Sequence, residues 1–404
     1  TDKDYPLETR LVNALFASGF SNIQIKINVN DIWVEAQDNR YFYVTKAVDV
    51  ILKIVNDISP QHIDNIHIIM NSNGIPLFKF STIRADIIDW RSEKLTNDEI
   101  IYLSKFDPTF TESPSTRIFH QDFFDYGLKP SLENYLNDPS GFFKYRFGLA
   151  IWGSYHPWKG STFLAQPDWY PINNISTSTP PLIDPVRSDI VLYKEKNLSL
   201  SRLMFDQVYK ASHELYGRLS AGYLEVQYAG LYGEVATSFM AGRVMLGVGG
   251  SAVRKRDPDN AFKLSDDFTQ IYKTAFLNSR LNIPEYDVAL DVKAGRFLAG
   301  DKGAKFTISK FINGVTISAW YSLTDTSDLK DPSNRGYHDK GILVTIPIRL
   351  FRGTDSKTSY SYVLTPWTRD VAQDVNQYES LFDFIGRNIK KFFDKDSKWM
   401  NWNR

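Results

Sequence analysis

The chain has 404 residues with 47 basic and 47 acidic side chains, so no net charge steers it toward nucleic acid or an anionic surface. It has no cysteine, which excludes disulfides, thiolate metal sites and a cysteine nucleophile. Phe, Tyr and Trp make up 14% of the chain and gather near the ends of alternating segments, as in interfacial girdles, while no window approaches the ~20 apolar residues of a spanning helix.

The chain begins TDKDYPLETR, without a basic and apolar leader or a lipid-acceptor cysteine, so any export signal is expected to have been removed or to lie upstream. Leu7, Leu11 and Leu15 then recur at helical spacing, and Gly19 ends the run. Ile23, Ile25 and Ile27 alternate as a strand, and DIWVEA follows as a second. Val44, Val48, Ile51, Leu52 and Val55 mark an amphipathic helix that Ser59-Pro60 ends, because proline cannot extend the hydrogen-bond ladder. NIHIIMN and PLFKFST flank Asn73-Gly74, a hairpin pair because both residues tolerate positive φ. The order is α-β-β-α-β-β, with a possible closing helix at Ala85 to Trp90: a small α+β domain over residues 1–92.

Residues 93–139 contain PTFTESPST and an aromatic stretch without period, and read as a linker. From Gly141 almost everything is long alternating segments between Gly, Asn, Asp and Pro clusters, giving about twelve strands from Phe142 to Pro366, one of them Glu214 to Tyr228. Many reach the ~9 to 11 residues that cross a bilayer at a tilt. In GVTISAWYSLTD one face carries Val315, Ile317, Ala319, Tyr321 and Leu323, and the other Thr316, Ser318, Trp320, Ser322 and Thr324. FFKYRFGLAIWGSY sets Phe143, Tyr145, Phe147, Leu149 and Ile151 against Lys144, Arg146 and Trp152; YDVALDVKA sets Val288, Leu290 and Val292 against Asp287, Asp291 and Lys293. A soluble sandwich also alternates. Mixed charge and small residues on one face, short turns against long polar loops, and aromatic strand ends favour a transmembrane antiparallel β-barrel over residues 140–376. Residues 377–404 form an amphipathic tail with Leu381, Phe384, Ile385, Ile389, Phe392 and Phe393 at helical intervals, suited to a membrane interface, to plugging an opening or to packing on the barrel rim.

Chemistry is sparse. The six histidines, at positions 62, 67, 120, 156, 213 and 338, show no metal-ligand spacing, and GVGG at Gly247 to Gly250 is followed by neither a phosphate-loop Lys nor a helix. Asp287 and Asp291 share a predicted strand face like a glycosidase pair, but charges facing a wet lumen are far commoner, so no enzyme, cofactor or metal is expected.

AGRFLAGDKGAKFTISKFINGVTISAWYSLTDT at Ala294 to Thr326, YHDKGILVTIPI at Tyr337 to Ile348, LTPWTRDVAQDV at Leu364 to Val375, LYGEVATSF at Leu231 to Phe239 and DNRYFYVTKAV near Tyr41 resemble the YjbH/GfcD family of outer-membrane proteins associated with exopolysaccharide or capsule. The resemblance spans about residues 5 to 386. It implies an outer-membrane barrel of a Gram-negative bacterium with the small domain in the periplasm, serving polysaccharide export. It also implies a further N-terminal β-rich portion, outside this chain or in a partner chain, and other export-system partners; the Lys- and Trp-rich tail after Arg387 departs from the family pattern. The expected function is a non-catalytic barrel whose lumen guides a glycan past Lys144, Arg146, Trp152, Arg218, Glu234, Asp287, Asp291, Lys293, Trp320 and Arg349. The alternatives are a filled barrel anchoring the small domain to a secretion complex, and a soluble secreted glycan-binding or hydrolytic β-protein.

Overall fold

The computed structural model describes residues 5–111, 118–120, 122–138, 141–178, 180–211, 214–347, 359–364 and 369–400. Its first unit is the α+β domain: α1 (Leu7–Ala17), β1 (Phe20–Ile27), β2 (Asp31–Asp38), α2 (Val44–Ile58), β3 (Asn65–Ser72), β4 (Ile75–Ile83), α3 (Arg84–Arg91), α4 (Asn97–Leu103), β5 (Lys105–Asp107) and β6 (Ile118–His120). The sheet order is β5-β4-β3-β2-β1-β6, with β2 and β3 parallel and the other neighbours antiparallel. Leu11, Leu15, Val48, Ile51, Leu52 and Val55 from the helices pack on Ile32, Val34, Ile66 and Ile68 of the sheet, all fully buried. The turn residues Asn73 and Gly74 take φ of 49° and 71°, as their hairpin role requires.

The stretch read as a linker is largely structured. It holds α4, β5, β6 and a barrel strand, β7 (Phe124–Asp138). α4 opens with a capping box, Thr96 Oγ1 accepting from the Glu99 N–H at 3.2 Å while Glu99 Oε2 accepts from the Thr96 N–H at 2.7 Å. β7 escapes a sequence reading because Gly127 and Pro130 both lower strand propensity.

After β7 come β8 (Gly141–Tyr155), β9 (Ser161–Asn173), β10 (Leu198–Lys210), β11 (Leu215–Tyr223), β12 (Tyr228–Phe239), β13 (Val244–Lys255), β14 (Tyr272–Ile283), β15 (Val288–Arg296), β16 (Lys302–Ile312), β17 (Val315–Asp325), β18 (Lys340–Pro347) and β19 (Ser359–Leu364). The stretch Glu214 to Tyr228, expected as one strand, is β11, a turn and the start of β12. Each of the thirteen strands pairs antiparallel with its chain neighbour, and the sheet curls into a nearly closed barrel. Among the described residues the count is odd, so β7 and β19 run the same way. Asn134 Nδ2 of β7 donates to Tyr362 Oη of β19 across that seam at 2.8 Å.

Register fixes which side chains share a face. Arg218 pairs with Glu234 and Asp206 with Ser220, all buried on the inner face, whereas Leu219, Leu231, Val248, Leu277 and Ile308 point outward with half or more of their surface exposed. The outer face carries exposed apolar side chains on strand after strand, among them Phe147, Phe163, Leu203, Leu219, Leu231, Val248, Leu277, Ile308 and Leu323, a pattern unusual on a soluble monomer. No helix among the described residues is long and apolar enough to cross a membrane.

The turns at one barrel end rest on the α+β domain. Gly160 N donates to Asn73 O at 2.7 Å, Lys210 Nζ to Pro76 O at 3.0 Å, and Phe311 stacks on Phe42 with ring centres 5.4 Å apart. The tail completes this junction. Its helices α6 (Leu381–Ile385) and α7 (Lys390–Lys395), with Ile389 just before α7, bury Leu381, Ile389 and Phe393 in a cluster shared by the domain core and the barrel residues Val208, Tyr216, Ala236 and Met245. Phe393 lies 5.8, 5.4 and 5.3 Å from the rings of Phe78, Phe80 and Phe106.

Phe393→Ala is expected to destabilise this junction by about 3–5 kcal/mol, the usual cost of emptying a packed aromatic site, read as faster amide exchange in β3 and β4 with little change in the barrel strands. Desolvation lowers the pKa of His67, on β3, below its ordinary 6.5, outweighing the Asp31 carboxylate that favours its charged form. The folded domain therefore binds this proton less readily than the unfolded chain, and the stabilisation present above pH 6.5 is lost as pH falls through the lowered value. A urea-midpoint series on the intact chain should show this acid-side loss, and His67→Gln should flatten it.

Candidate functional site: the barrel lumen

The inner face is a ring of charge, and a protein interior tolerates charge only when it is paired. Two segments outside the strands supply much of the pairing. The first is the long β9–β10 connection, residues 174–197, which carries α5 (Ile190–Lys194). The second is the chain from Arg369 onward, which starts among the loops far from the α+β domain, descends the lumen and emerges beneath it as α6 and α7.

Asp370 locks the two segments together. Its Oδ1 accepts from the backbone N–H groups of Val186, Arg187 and Ser188 at 2.9, 2.7 and 2.9 Å, and its Oδ2 from the Ser188 hydroxyl at 3.0 Å. Arg187 donates to Glu225 Oε1 and Gln227 Oε1 at 2.8 and 2.7 Å and to the Asp374 carbonyl at 2.6 Å. Lys255, fully buried on β13, is ion-paired with Asp189 of the first segment. Val371 and Ala372 pack with Phe276, Phe297 and Leu329, and Val375 with Leu164, Met204, Tyr228 and Tyr232.

Below these contacts the descending chain meets the wall at successive depths. Lys293 Nζ holds Asp374 Oδ2 at 2.7 Å, Arg202 Nη2 donates to the carbonyls of Asn376 and Gln377 at 3.2 and 3.3 Å, and Arg218 Nη2 reaches Glu379 Oε2 at 3.2 Å. Glu234 Oε2 accepts from the Leu381 N–H at 2.8 Å, and Arg280 Nη1 pairs with Asp383 Oδ1 at 3.1 Å. At the mouth Asp287 is ion-paired with Lys395 and lies 3.6 Å from Arg387. Tyr378, on this segment, stays 43% exposed.

The residues singled out from sequence fall as follows. Lys144, Arg146, Trp152, Arg218, Glu234, Asp291, Lys293 and Trp320 lie on the inner face by register. Lys144 Nζ donates to Ser176 O at 2.8 Å; Arg146 Nη2 holds Glu133 Oε2 at 2.9 Å and sits 3.8 Å above the Tyr170 ring centre. Trp152 lies against Gly127, where an added Cβ would stand 2.8 Å from the indole, so glycine is what lets the ring lie flat there. Trp320 Nε1 donates to Asp339 Oδ2 at 2.8 Å, and Lys305 Nζ lies 4.8 Å over its ring.

Asp287 departs from the expectation. Strand parity put it on the inner face beside Asp291, but Pro284–Tyr286 form a turn and Asp287 takes φ of 52° outside β15. Asp291 pairs instead with Arg280 at 2.6 Å, so no two-carboxylate catalytic geometry arises. Arg349 lies outside the described residues. Among the described residues no group of three or more His, Asp or Glu side chains is placed to hold a metal ion. Sequence reasoning missed Asp370, Arg187, Asp374 and Arg280. The available signal was the spacing of Asp370, Asp374, Glu379 and Asp383 with no Lys or Arg between them.

A family model described as "YjbH: Exopolysaccharide biosynthesis protein YbjH" matches residues 2–387. The chain is also 23% identical over 390 residues to a protein of Escherichia coli strain K12 named "Uncharacterized lipoprotein YjbH". The match covers 93% of this chain and 55% of that relative, so the chain spans about half the relative's length.

Asp370→Ala removes the acceptor of three backbone N–H groups, each about 1–3 kcal/mol when left unpaired. The expected outcome is selective proteolytic cleavage between residues 180 and 195 with the barrel strands still resistant.

Proposed function

We propose that this chain, which belongs to the YjbH family of exopolysaccharide-associated proteins, is a non-catalytic outer-membrane β-barrel that takes part in exopolysaccharide export by holding its α+β domain at the periplasmic mouth. The outward apolar face supports the membrane half of this reading. In water that surface would cost about 25 cal/mol per Å² of apolar area, and hydrocarbon removes the cost. The single observation that carries the anchoring role is the tail: it runs through the lumen and ends in the domain's own core, with Phe393 among Phe78, Phe80 and Phe106. Barrel and domain are thereby one mechanical unit. On this reading the domain presents its surface to other components of the export system, and the name lipoprotein carried by the relative fits an envelope location.

A second reading, passage of the glycan through the lumen, is favoured by the cations and acceptors the wall presents along the descending segment, Lys293, Arg218, Arg280 and Glu234. It requires that segment to move.

The membrane reading is tested by detergent gels. The folded chain is expected to migrate faster unboiled than boiled and to need amphiphile to stay dispersed; a monodisperse folded monomer in plain buffer would contradict it.

A further inference from the structure

From Asp370 to Gly386 the lumen segment carries four carboxylates, at Asp370, Asp374, Glu379 and Asp383, and no Lys or Arg. A polyanionic segment, irregular down to Ser380 and helical in α6, thus passes along the barrel wall. At three depths the wall meets it with a cation: Lys293 on Asp374, Arg218 on Glu379 and Arg280 on Asp383. Arg202 adds a fourth contact, to the backbone carbonyls of Asn376 and Gln377.

Two features make this grip exchangeable. Arg218 also holds Asp206 with Nε–Oδ1 and Nη2–Oδ2 distances of 2.9 and 3.0 Å, and Arg280 holds Asp291 at 2.6 Å, so each keeps a wall partner and its orientation when the segment's carboxylate leaves. The segment's backbone also donates outward, from the Asn376 N–H to Glu225 in the β11–β12 turn at 2.9 Å and from the Leu381 N–H to Glu234 on the wall at 2.8 Å. The lining therefore alternates fixed cations with fixed acceptors. A polymer that matches it needs carboxylates at intervals and hydroxyl donors between them.

We propose that the lumen is a binding track for an acidic, uronate-bearing polysaccharide, and that residues 370–386 occupy it as a built-in mimic of that ligand. Sugar carboxylates take the places of Asp374, Glu379 and Asp383, and sugar hydroxyls donate where the segment's N–H groups now do. Guanidinium forks suit this exchange because they bind successive carboxylates in one fixed geometry. The inference rests on the passage reading above and names its ligand class.

The test uses the full chain in lipid nanodiscs. The native sequence has no cysteine, so Val375→Cys, at a position 3% exposed, gives a single thiol that a maleimide reaches when the segment leaves. Polygalacturonate oligomers are the acidic probe and dextran the neutral one. Polygalacturonate is expected to raise the labelling rate about tenfold or more, dextran to leave it unchanged, and Asp374→Asn/Glu379→Gln/Asp383→Asn to lower the polygalacturonate Kd about tenfold. Equal Kd for the triple variant and the native chain, unchanged labelling, or equal action of dextran would each overturn the proposal. Should the triple variant not fold, Asp383→Asn alone carries the same comparison, with about a threefold expected shift. Heat-modifiable migration of the same preparation reports separately on membrane insertion: a shifted band with no polygalacturonate effect overturns the track and leaves the barrel reading standing.

Discussion

The structure depends on one constraint: charges that face the inside of a nearly closed sheet must find partners there. A strand that sends apolar side chains outward sends the alternate ones inward, and here those include Arg146, Arg218, Arg280, Lys255, Lys293, Asp206 and Glu234. Some pair across the ladder, as Arg218 with Asp206 and Arg280 with Asp291. Others are satisfied from outside the sheet: Lys255 by Asp189, Lys293 by Asp374, Glu234 by the Leu381 N–H. The two inserted segments are therefore part of the barrel's electrostatics.

That constraint also explains how the two units are joined. A chain that must descend the lumen to pair with Lys293, Arg218 and Arg280 arrives at the end where the α+β domain sits. There its character changes from acidic and irregular to amphipathic and helical, and Leu381, Phe384, Ile389 and Phe393 close a core shared by both units. Asp396 stays in this junction through Arg387, with donor–acceptor distances of 3.2, 3.0 and 2.8 Å, while burial raises its carboxyl pKa above the ordinary range. The tail acts as a tether whose upper half is electrostatic and whose lower half is hydrophobic.

Much of the regular structure was legible in the sequence, because periodicity is a local property. The faces of Val315 to Thr324 fall as their alternation requires, with Ser318 buried and Ile317 and Leu323 exposed, and Asn73-Gly74 makes its hairpin. The failures have physical causes. β7 is held by its neighbour β8 along nearly its whole length despite Gly127 and Pro130, so tertiary pairing overrides propensity. Asp287 was misplaced because parity holds only within a strand, and β15 begins at Val288, after the turn Pro284–Tyr286. The helical end of the lumen segment was legible from the spacing of Leu381, Phe384 and Ile385, but its upper part was not, because an irregular chain has no period and its partners lie as far as 184 positions away in sequence, as with Val186 and Asp370. α4 could have been found from Thr96 and Glu99 alone.

On the proposed membrane reading, hydrocarbon, not water or a second sheet, covers the outer face of the strands. Nitroxide labels on single cysteines placed in turn along Leu215 to Tyr223 test it directly, since the chain carries no cysteine of its own. In vesicles, labels at positions 217, 219 and 221 should collide freely with oxygen and rarely with a polar nickel reagent, and those at 216, 218 and 220 should lose that preference, a two-residue period. Equal access of the polar reagent to both sets would contradict the account.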